Sequence, residues 1–321
     1  MIPMKRSIGR RDALRLISGA IAGVAGGLHA AESGENTRDG SALFSGSMHA
    51  RPIPASGESM PVIGLGTWQT FDVGSSAEAR APRREVLREF VKLGGKLIDS
   101  SPMYGSAETV AGDLAAELGL RSKLFVATKV WTSGREQGIE QMEDSLRKLR
   151  ADPIDLMQVH NLLDVETHLA TLREWKKAGR VWYIGVTHYT ASAHDELARL
   201  IARQPVDFVQ VNYSVGEREA EKRLLPLARE RGIAVIANRP FAGGNLFSRL
   251  RGKPLPSWAA EIDCTSWAQI LLKFVVSHPA ITCAIPATSK VPHLRDNMQA
   301  GYGRMPDDDF RTRIAEAAAR A

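Results

Sequence analysis

The chain has 321 residues, 44% hydrophobic and 24% charged, with 28 Gly, 16 Pro, 2 Cys and a formal net charge of +6. That balance belongs to a folded globular protein and excludes wholesale disorder, collagen-like and coiled-coil architectures. Two cysteines exclude a disulfide-rich scaffold and a zinc site built on four thiolates. The charge is uneven: of 42 basic and 36 acidic residues, Lys5, Arg6, Arg10, Arg11, Arg15 and Asp12 fall in residues 1–30, leaving 37 against 35 elsewhere. Basicity therefore belongs to the N-terminal tail and gives no ground for nucleic-acid binding.

Residues 1–31 read as an address. Arg10-Arg11 precede an apolar Gly/Ala-rich run, Ile17–Gly27, which is too short to span a bilayer, and small residues follow at Ala30-Ala31. The pattern resembles a twin-arginine export signal and predicts a periplasmic protein carried by that export machinery, with no stable membrane insertion after cleavage. An amphipathic start helix or a membrane anchor is the alternative. Residues 32–49 are small and polar and read as a flexible linker, leaving residues 50–321 as the folded domain.

From residue 50 the chain alternates short apolar runs with amphipathic stretches. Ser56-Gly57 marks a turn within 51–61, predicting a small β-hairpin. Strands are then expected at Val62–Thr67, Leu97–Asp99, Leu124–Lys129, Ile154–His160, Tyr183–Thr187, Phe208–Asn212, Ala234–Ala237 and Cys283–Pro286. They are continuous apolar runs, as strands covered on both faces require. Helical patterns include Glu136–Arg150, Glu166–Ala178, Ala193–Arg203, Glu219–Arg231 and a terminal helix from Asp307. Gly94-Gly95, Gly119, Gly179 and Gly232 punctuate helix ends. Eight strands, each followed by a helix, predict a (β/α)8 barrel whose base the hairpin closes. A doubly wound sheet is the alternative, but Gly64-Leu65-Gly66-Thr67-Trp68 lacks the third glycine of its phosphate-binding turn.

Asp99, Lys129 and His160 each end a strand, 30 and 31 residues apart, which is one βα unit each. In a barrel they would meet at the C-terminal rim, with Tyr104 on the turn just past Asp99. A phenol titrates near 10 and is a poor proton donor alone. An adjacent ammonium lowers that value, a carboxylate holds the ammonium, and an imidazole can orient a carbonyl oxygen. Each residue has an ordinary alternative: Asp99 as a turn cap, Lys129 in a structural ion pair, His160 as a core histidine, Tyr104 as a surface residue. Cys264 and Cys283 lie in different elements, and their pairing in an oxidising compartment stays open. No histidine shows metal-ligand spacing.

Seven stretches in order carry a resemblance: Ile63-Gly-Leu-Gly-Thr-Trp68, Leu97-Ile-Asp-Ser-Ser-Pro-Met-Tyr-Gly-Ser106, Val126-Ala-Thr-Lys129, Asp155-Leu-Met-Gln-Val-His160, Gly179-Arg-Val-Trp-Tyr-Ile-Gly-Val186, Val209-Gln-Val-Asn-Tyr-Ser214 and Ile285-Pro-Ala-Thr-Ser-Lys290. From residue 51 to about residue 300 the sequence resembles an aldo/keto reductase. The resemblance implies a (β/α)8 fold and NAD(P)H-dependent reduction of a small-molecule aldehyde or ketone. It makes Tyr104 the general acid/base, Lys129 its tuning residue, Asp99 the partner of Lys129 and His160 the carbonyl-orienting group.

It also implies cofactor contacts: Gly66, Thr67, Trp68 and Asp99 near the nicotinamide ribose, and Gln210 at the carboxamide. Thr187 and His188 stand where relatives usually carry Ser-Asn. Asn238-Arg239 fall where relatives often place an aromatic ring, so Arg239 would lie under the nicotinamide, reach the pyrophosphate or form a rim ion pair. Thr288, Ser289 and Lys290 would bind a 2′-phosphate, Asn297 the adenine, and His293 replaces a frequent Arg. NADP is therefore expected, with NAD the alternative. Trp68, Trp131, His160 and Asn161 are the expected pocket residues, with Phe71 a further candidate better explained by packing. Two rivals are a non-catalytic NADP(H)-binding sensor or interaction module on the same barrel, and a Schiff-base lyase using Lys129.

Overall fold

Two short strands, β1 (Ala50–Pro52) and β2 (Ser59–Pro61), pair antiparallel with Ala50 opposite Pro61. They form the hairpin expected around Ser56-Gly57. In the computed structural model, which describes residues 46–320, eight further strands follow. These are β3 (Leu65–Gly66), β4 (Leu97–Asp99), β5 (Phe125–Val130), β6 (Ile154–His160), β7 (Val181–His188), β8 (Phe208–Asn212), β9 (Ala234–Asn238) and β10 (Cys283–Ala284). Each pairs with its neighbour in sequence, and the order β3 to β10 is unbroken. The ring closes where Gly64 N–H donates to Ala284 O at 2.8 Å and Ala284 N–H to Val62 O at 2.9 Å.

Helices α1 (Ala77–Lys92), α2 (Ala107–Glu117), α3 (Arg135–Leu149), α4 (Val165–Lys177), α5 (His194–Arg203), α6 (Leu224–Glu230), α7 (Asn245–Leu250), α8 (Trp267–Ser277), α9 (Val291–Gln299) and α10 (Asp308–Arg320) complete the described elements. The protein is the expected (β/α)8 barrel. Closure explains the glycines of the first strand region. A Cβ on Gly64 would lie 2.9 Å from Leu97 O, and one on Gly66 would lie 2.9 Å from Ile285 O. Either would push the seam apart.

Alternation along the strands builds two cores. Residues such as Ile98, Val126, Val159, Ile184, Val209 and Val235 point outward and pack under the helices. Leu97, Phe125, Leu156, Tyr183, Phe208 and Ile236 point into the barrel, and Ile53 and Met60 of the hairpin plug it from below. The Tyr183 hydroxyl reaches Ser56 Oγ at 2.6 Å, tying hairpin to barrel.

Several boundaries differ from the sequence reading. The expected strand Val62–Thr67 keeps only Leu65–Gly66 in the sheet, with isolated closing bridges from Ile63 to Ala284 and from Gly66 to Ala287. β10 stops before Pro286, which has no N–H to donate. The helix expected over Glu219–Arg231 is broken: Glu219–Lys222 forms a 3-10 turn, and α6 starts at Leu224. Pro226 is the cause, because inside a continuous helix it would lack an N–H and clash with the preceding turn. Gly94, Gly119, Gly179 and Gly232 all take positive φ at helix ends, as expected, whereas Gly95 does not.

The expected export signal, residues 1–31, and most of the expected linker, residues 32–49, lie outside the described residues. The last linker residues belong to the folded body. His49 N–H donates to Gly301 O at 2.8 Å and its carbonyl accepts from Val62 N–H at 3.0 Å. Cys264 and Cys283 are both buried free thiols. Among the described residues no helix is long and apolar enough to cross a membrane.

Candidate active site

Asp99 closes β4, His160 closes β6, and Lys129 is the penultimate residue of β5. Their outward neighbours Ile98, Val130 and Val159 pack under the helices, so these three side chains turn inward at the mouth. Lys129 is fully buried. Its Nζ donates to Asp99 Oδ2 and to the Ser100 carbonyl, both at 2.6 Å. An ammonium has three protons, so one remains for a further acceptor. Nζ lies 5.1 Å from the ring centroid of Tyr104. Its positive charge acts on the phenol and lowers the pKa of Tyr104 against burial.

The Asp99 carboxylate is held from three sides. Besides Lys129 it accepts from Gln210 Nε2 at 2.8 Å and Gln158 Nε2 at 3.3 Å, both on Oδ1. Burial works against charge on Lys129, but Asp99 and then Tyr104 more than offset it and hold the ammonium above the usual lysine range. The phenol departs from the sequence argument. Burial pushes Tyr104 up, the Lys129 charge pulls it back only in part, and the net direction is above the ordinary tyrosine value.

His160 packs edge-on against Tyr104, with ring centroids 6.1 Å apart and planes at 85°. Burial first, then the charge of Lys129 and the presence of His188, lower its pKa to about 3. The imidazole is therefore neutral at physiological pH, a hydrogen-bonding group rather than a cation.

The turn that carries Tyr104 is clamped from the loop before α1. Asp72 Oδ1 accepts from both N–H and Oγ of Ser106 at 2.8 Å, and Ser106 Oγ accepts from Gly74 N–H at 2.8 Å. These two hydrogen bonds lower the Asp72 pKa. Gly105, with φ +59°, presses against that carboxylate where a side chain would collide. Sequence reasoning missed Asp72, Ser101 and Gln158. Two of them were readable: Gln158 precedes His160 by two and Ser101 follows Asp99 by two, the strand period that repeats a face. Asp72 carried no such signal, because its partner lies 34 residues away.

Trp68 and Trp131 stand at the mouth, 47% and 40% exposed, and Trp131 lies 6.4 Å from His160 between ring centroids. Gln141 brackets the Trp131 backbone, accepting from its N–H at 2.6 Å and donating to its carbonyl at 3.2 Å. Asn161 has φ +52° and a buried Oδ1 without a hydrogen-bond partner. Phe71 is fully buried core.

Several expected cofactor residues already have protein partners. Thr67 Oγ1 lies 3.0 Å from Asp99 O and 2.9 Å from Ser100 Oγ, so its hydroxyl holds the end of β4. Gln210 donates to Asp99, while its Oε1 accepts from Thr187 Oγ1 at 3.2 Å and Asn238 Nδ2 at 3.4 Å. His188 turns Nδ1 back to accept from Tyr189 N–H at 3.0 Å. Arg239 takes φ +50° and places Nη2 3.8 Å from Glu217 Oε1, the rim ion pair among its three expected roles. That pair borders a cavity of about 300 Å³ lined also by Tyr189, Thr190 and Asn212, whose lining includes none of Asp99, Tyr104, Lys129 and His160. After β10, the strand paired with β9, Lys290 precedes α9 without a side-chain cap. Thr288 Oγ1 accepts from Lys290 N–H at 3.2 Å, Ser289 is half-buried, Lys290 and His293 are exposed, and Asn297 is buried.

The chain is similar to known proteins of one family. Methylglyoxal reductase YeaE of Escherichia coli is 33% identical over 258 residues, 78% of this chain and 89% of that protein. A solved aldo/keto reductase from Klebsiella pneumoniae, in complex with NADP and acetate, superposes with a TM-score of 0.68 at 25% identity, covering 82% and 93% of the two chains. The holo form of an aldo-keto reductase from Bacillus halodurans gives 0.68 at 22% identity over 85% and 97%, which speaks to the fold. The model of the aldo/keto reductase family matches residues 62–318, and with the barrel and its inward-facing rim residues in place, this chain belongs to that family.

Proposed function

We propose that this protein is an NADP-dependent reductase of small aldehydes or ketones in which Tyr104 delivers the proton. The observation that carries the reading is the chain Tyr104–Lys129–Asp99, half-buried at the phenol and buried at the other two, with Lys129 Nζ 2.6 Å from Asp99 and 5.1 Å from the phenol ring. Bound NADPH supplies the hydride; the chain's own residues do the rest. A carbonyl oxygen seated between Tyr104 and His160 gains negative charge as its carbon accepts hydride. Hydrogen-bond donors aimed at that oxygen lower the barrier. His160, neutral, orients the oxygen. Lys129 stabilises the phenolate left when Tyr104 gives up its proton, and Asp99 keeps Lys129 charged and in place.

The residues present suit a phosphate-bearing dinucleotide. The backbone N–H groups of Val291 and His293 at the start of α9 (Pro292 has none), the Ser289 hydroxyl and the exposed Lys290 ammonium form a cationic end fit for a 2′-phosphate. Asn297 would serve the adenine. Gly66, Thr67, Trp68, Thr187, His188 and Gln210 line the nicotinamide side, and Arg239 would reach the pyrophosphate by leaving Glu217. NADP named with a Klebsiella relative and methylglyoxal named with an Escherichia relative support the cofactor and a short, reactive carbonyl substrate. Trp68, Trp131 and Asn161 would wall the substrate.

The test is Tyr104→Phe. Turnover of NADPH with a panel of aldehydes is expected to fall about 10²- to 10⁴-fold, the range of a general acid's contribution. NADPH affinity by fluorescence titration is expected to hold within twofold. Wild-type turnover in the variant would overturn the assignment, and no consumption by the wild type with any carbonyl would favour a sensor. We also propose export by the twin-arginine route to the periplasm, supported by Arg10-Arg11 and the Ile17–Gly27 run. Arg10→Lys with Arg11→Lys should leave the protein in the cytoplasmic fraction, and unchanged fractionation would reject that route.

A further inference from the structure

His160 has two ring nitrogens, and only one carries the proton in the neutral form. Its chemistry toward a substrate depends on which. Nδ1 lies 3.1 Å from Ser101 Oγ, and that hydroxyl is fully buried. Ser101 Oγ also accepts from Met103 N–H at 3.4 Å, which uses a lone pair and leaves the hydroxyl proton to be placed. A buried hydroxyl proton needs an acceptor, and the hydrogen bonds of Ser101 offer His160 Nδ1. Nδ1 then accepts, and the ring proton sits on Nε2. Among the described residues Nε2 has no hydrogen-bond partner, and it is not one of the buried unpartnered atoms. It is therefore the nitrogen left for a ligand.

We propose that Ser101 is a positioning residue that fixes His160 as its Nε2–H tautomer, so that the imidazole meets a carbonyl oxygen as a donor. This rests on the reductase reading for its catalytic consequence, while the tautomer itself is a property of the fold. Without Ser101, an Nδ1–H form would present an Nε2 lone pair to the carbonyl oxygen, two acceptors facing each other. The strand period explains how the pair arises. Ser101 stands two residues past Asp99, and His160 closes β6, so both sit on the inner side of the same rim.

The experiment is ¹⁵N NMR of imidazole-labelled full-length protein, with His160 assigned by its loss in His160→Gln, alongside steady-state kinetics of Ser101→Ala and Ser101→Thr. Wild type should show protonated Nε2 and unprotonated Nδ1 at His160. Ser101→Ala should show a mixture of tautomers, a kcat/KM lower by about 3- to 10-fold, the scale of one hydrogen bond, and unchanged NADPH affinity. Ser101→Thr, which keeps the hydroxyl, should restore the wild-type tautomer; thermal unfolding checks that each variant is folded. A wild-type His160 protonated on Nδ1, or a folded Ser101→Ala with an unaltered tautomer, overturns the proposal. Failure of the reductase reading shows separately, as full turnover in Tyr104→Phe, and leaves the NMR result standing.

Discussion

The two ends of the barrel are built from the same strands and opposite chemistry. At the base, Phe125, Tyr183 and Phe208 fill the interior with ring centroids 5.5–6.0 Å apart, and Ile53 and Met60 seal it. One or two strand steps higher the inward side chains are Asp99, Lys129, Gln158, Thr187 and Gln210, buried and linked by hydrogen bonds, with His160 buried beside them and bonded to Ser101. The base uses apolar area, which is non-directional and forgiving of small shifts. The mouth uses charge in a low-dielectric setting, where each partner is costly to remove. Both ends contribute stability, but chemistry is drawn from the second alone, so turnover can be separated from stability at the base.

The largest expected effect on activity is Lys129→Met. It removes the charge that pulls the phenol's pKa down and leaves Asp99 buried with only amide donors. Turnover should fall at least about 10²-fold, and stability by about 3–5 kcal/mol, as for breaking a buried pair. Urea denaturation with parallel kinetics measures both; near-normal turnover would show that the mouth network is structural only. Phe208→Ala is the counterpart at the base. It should cost about 3–5 kcal/mol of stability, with kcat per folded molecule nearly unchanged. A large loss of kcat there would erase the separation between the ends.

Acid should weaken both ends together. His160 at the mouth has a folded pKa of about 3, and His278, beside Arg51 of the hairpin, about 4. Both are depressed below the unfolded value near 6.5. Below that value the unfolded chain binds protons that the folded chain refuses. Stability is therefore full above about pH 6.5 and declines as pH falls toward the folded values. Chemical denaturation at pH 7 and pH 5 should show the drop, reduced in His278→Asn; equal midpoints would contradict it. Tyr104 titrates above the ordinary tyrosine value, so reduction should lose rate only on the strongly alkaline side.

The smallest effect belongs to the rim. Arg239 and Glu217 are each about 30% exposed, and such a pair contributes at most about 1 kcal/mol. Glu217→Gln should leave the unfolding temperature almost unmoved. Arg239→Gln should weaken NADPH binding if the guanidinium serves the pyrophosphate, and leave it unaltered if the ion pair is its whole role.

Much of this was legible from residue order. Continuous apolar runs separated by helical periods and glycine stops announced a parallel barrel, because a strand covered on both faces has no polar side to show. The spacing of Asp99, Lys129 and His160 announced the rim, because one βα unit returns the chain to the same level. The break before Leu224 could also have been read, since Pro226 disfavours a helix running on through the turn before it. What sequence could not determine was partner choice at close range. The net direction of Tyr104, the turning of Gln210 onto Asp99, the clamp from Asp72 and the contact of Ser101 with His160 depend on distances between residues 25 to 111 apart in sequence. Periodicity sets which face a side chain joins; only the closed barrel sets which atoms lie within 3 Å, and hydrogen bonds and pKa shifts are decided at that range.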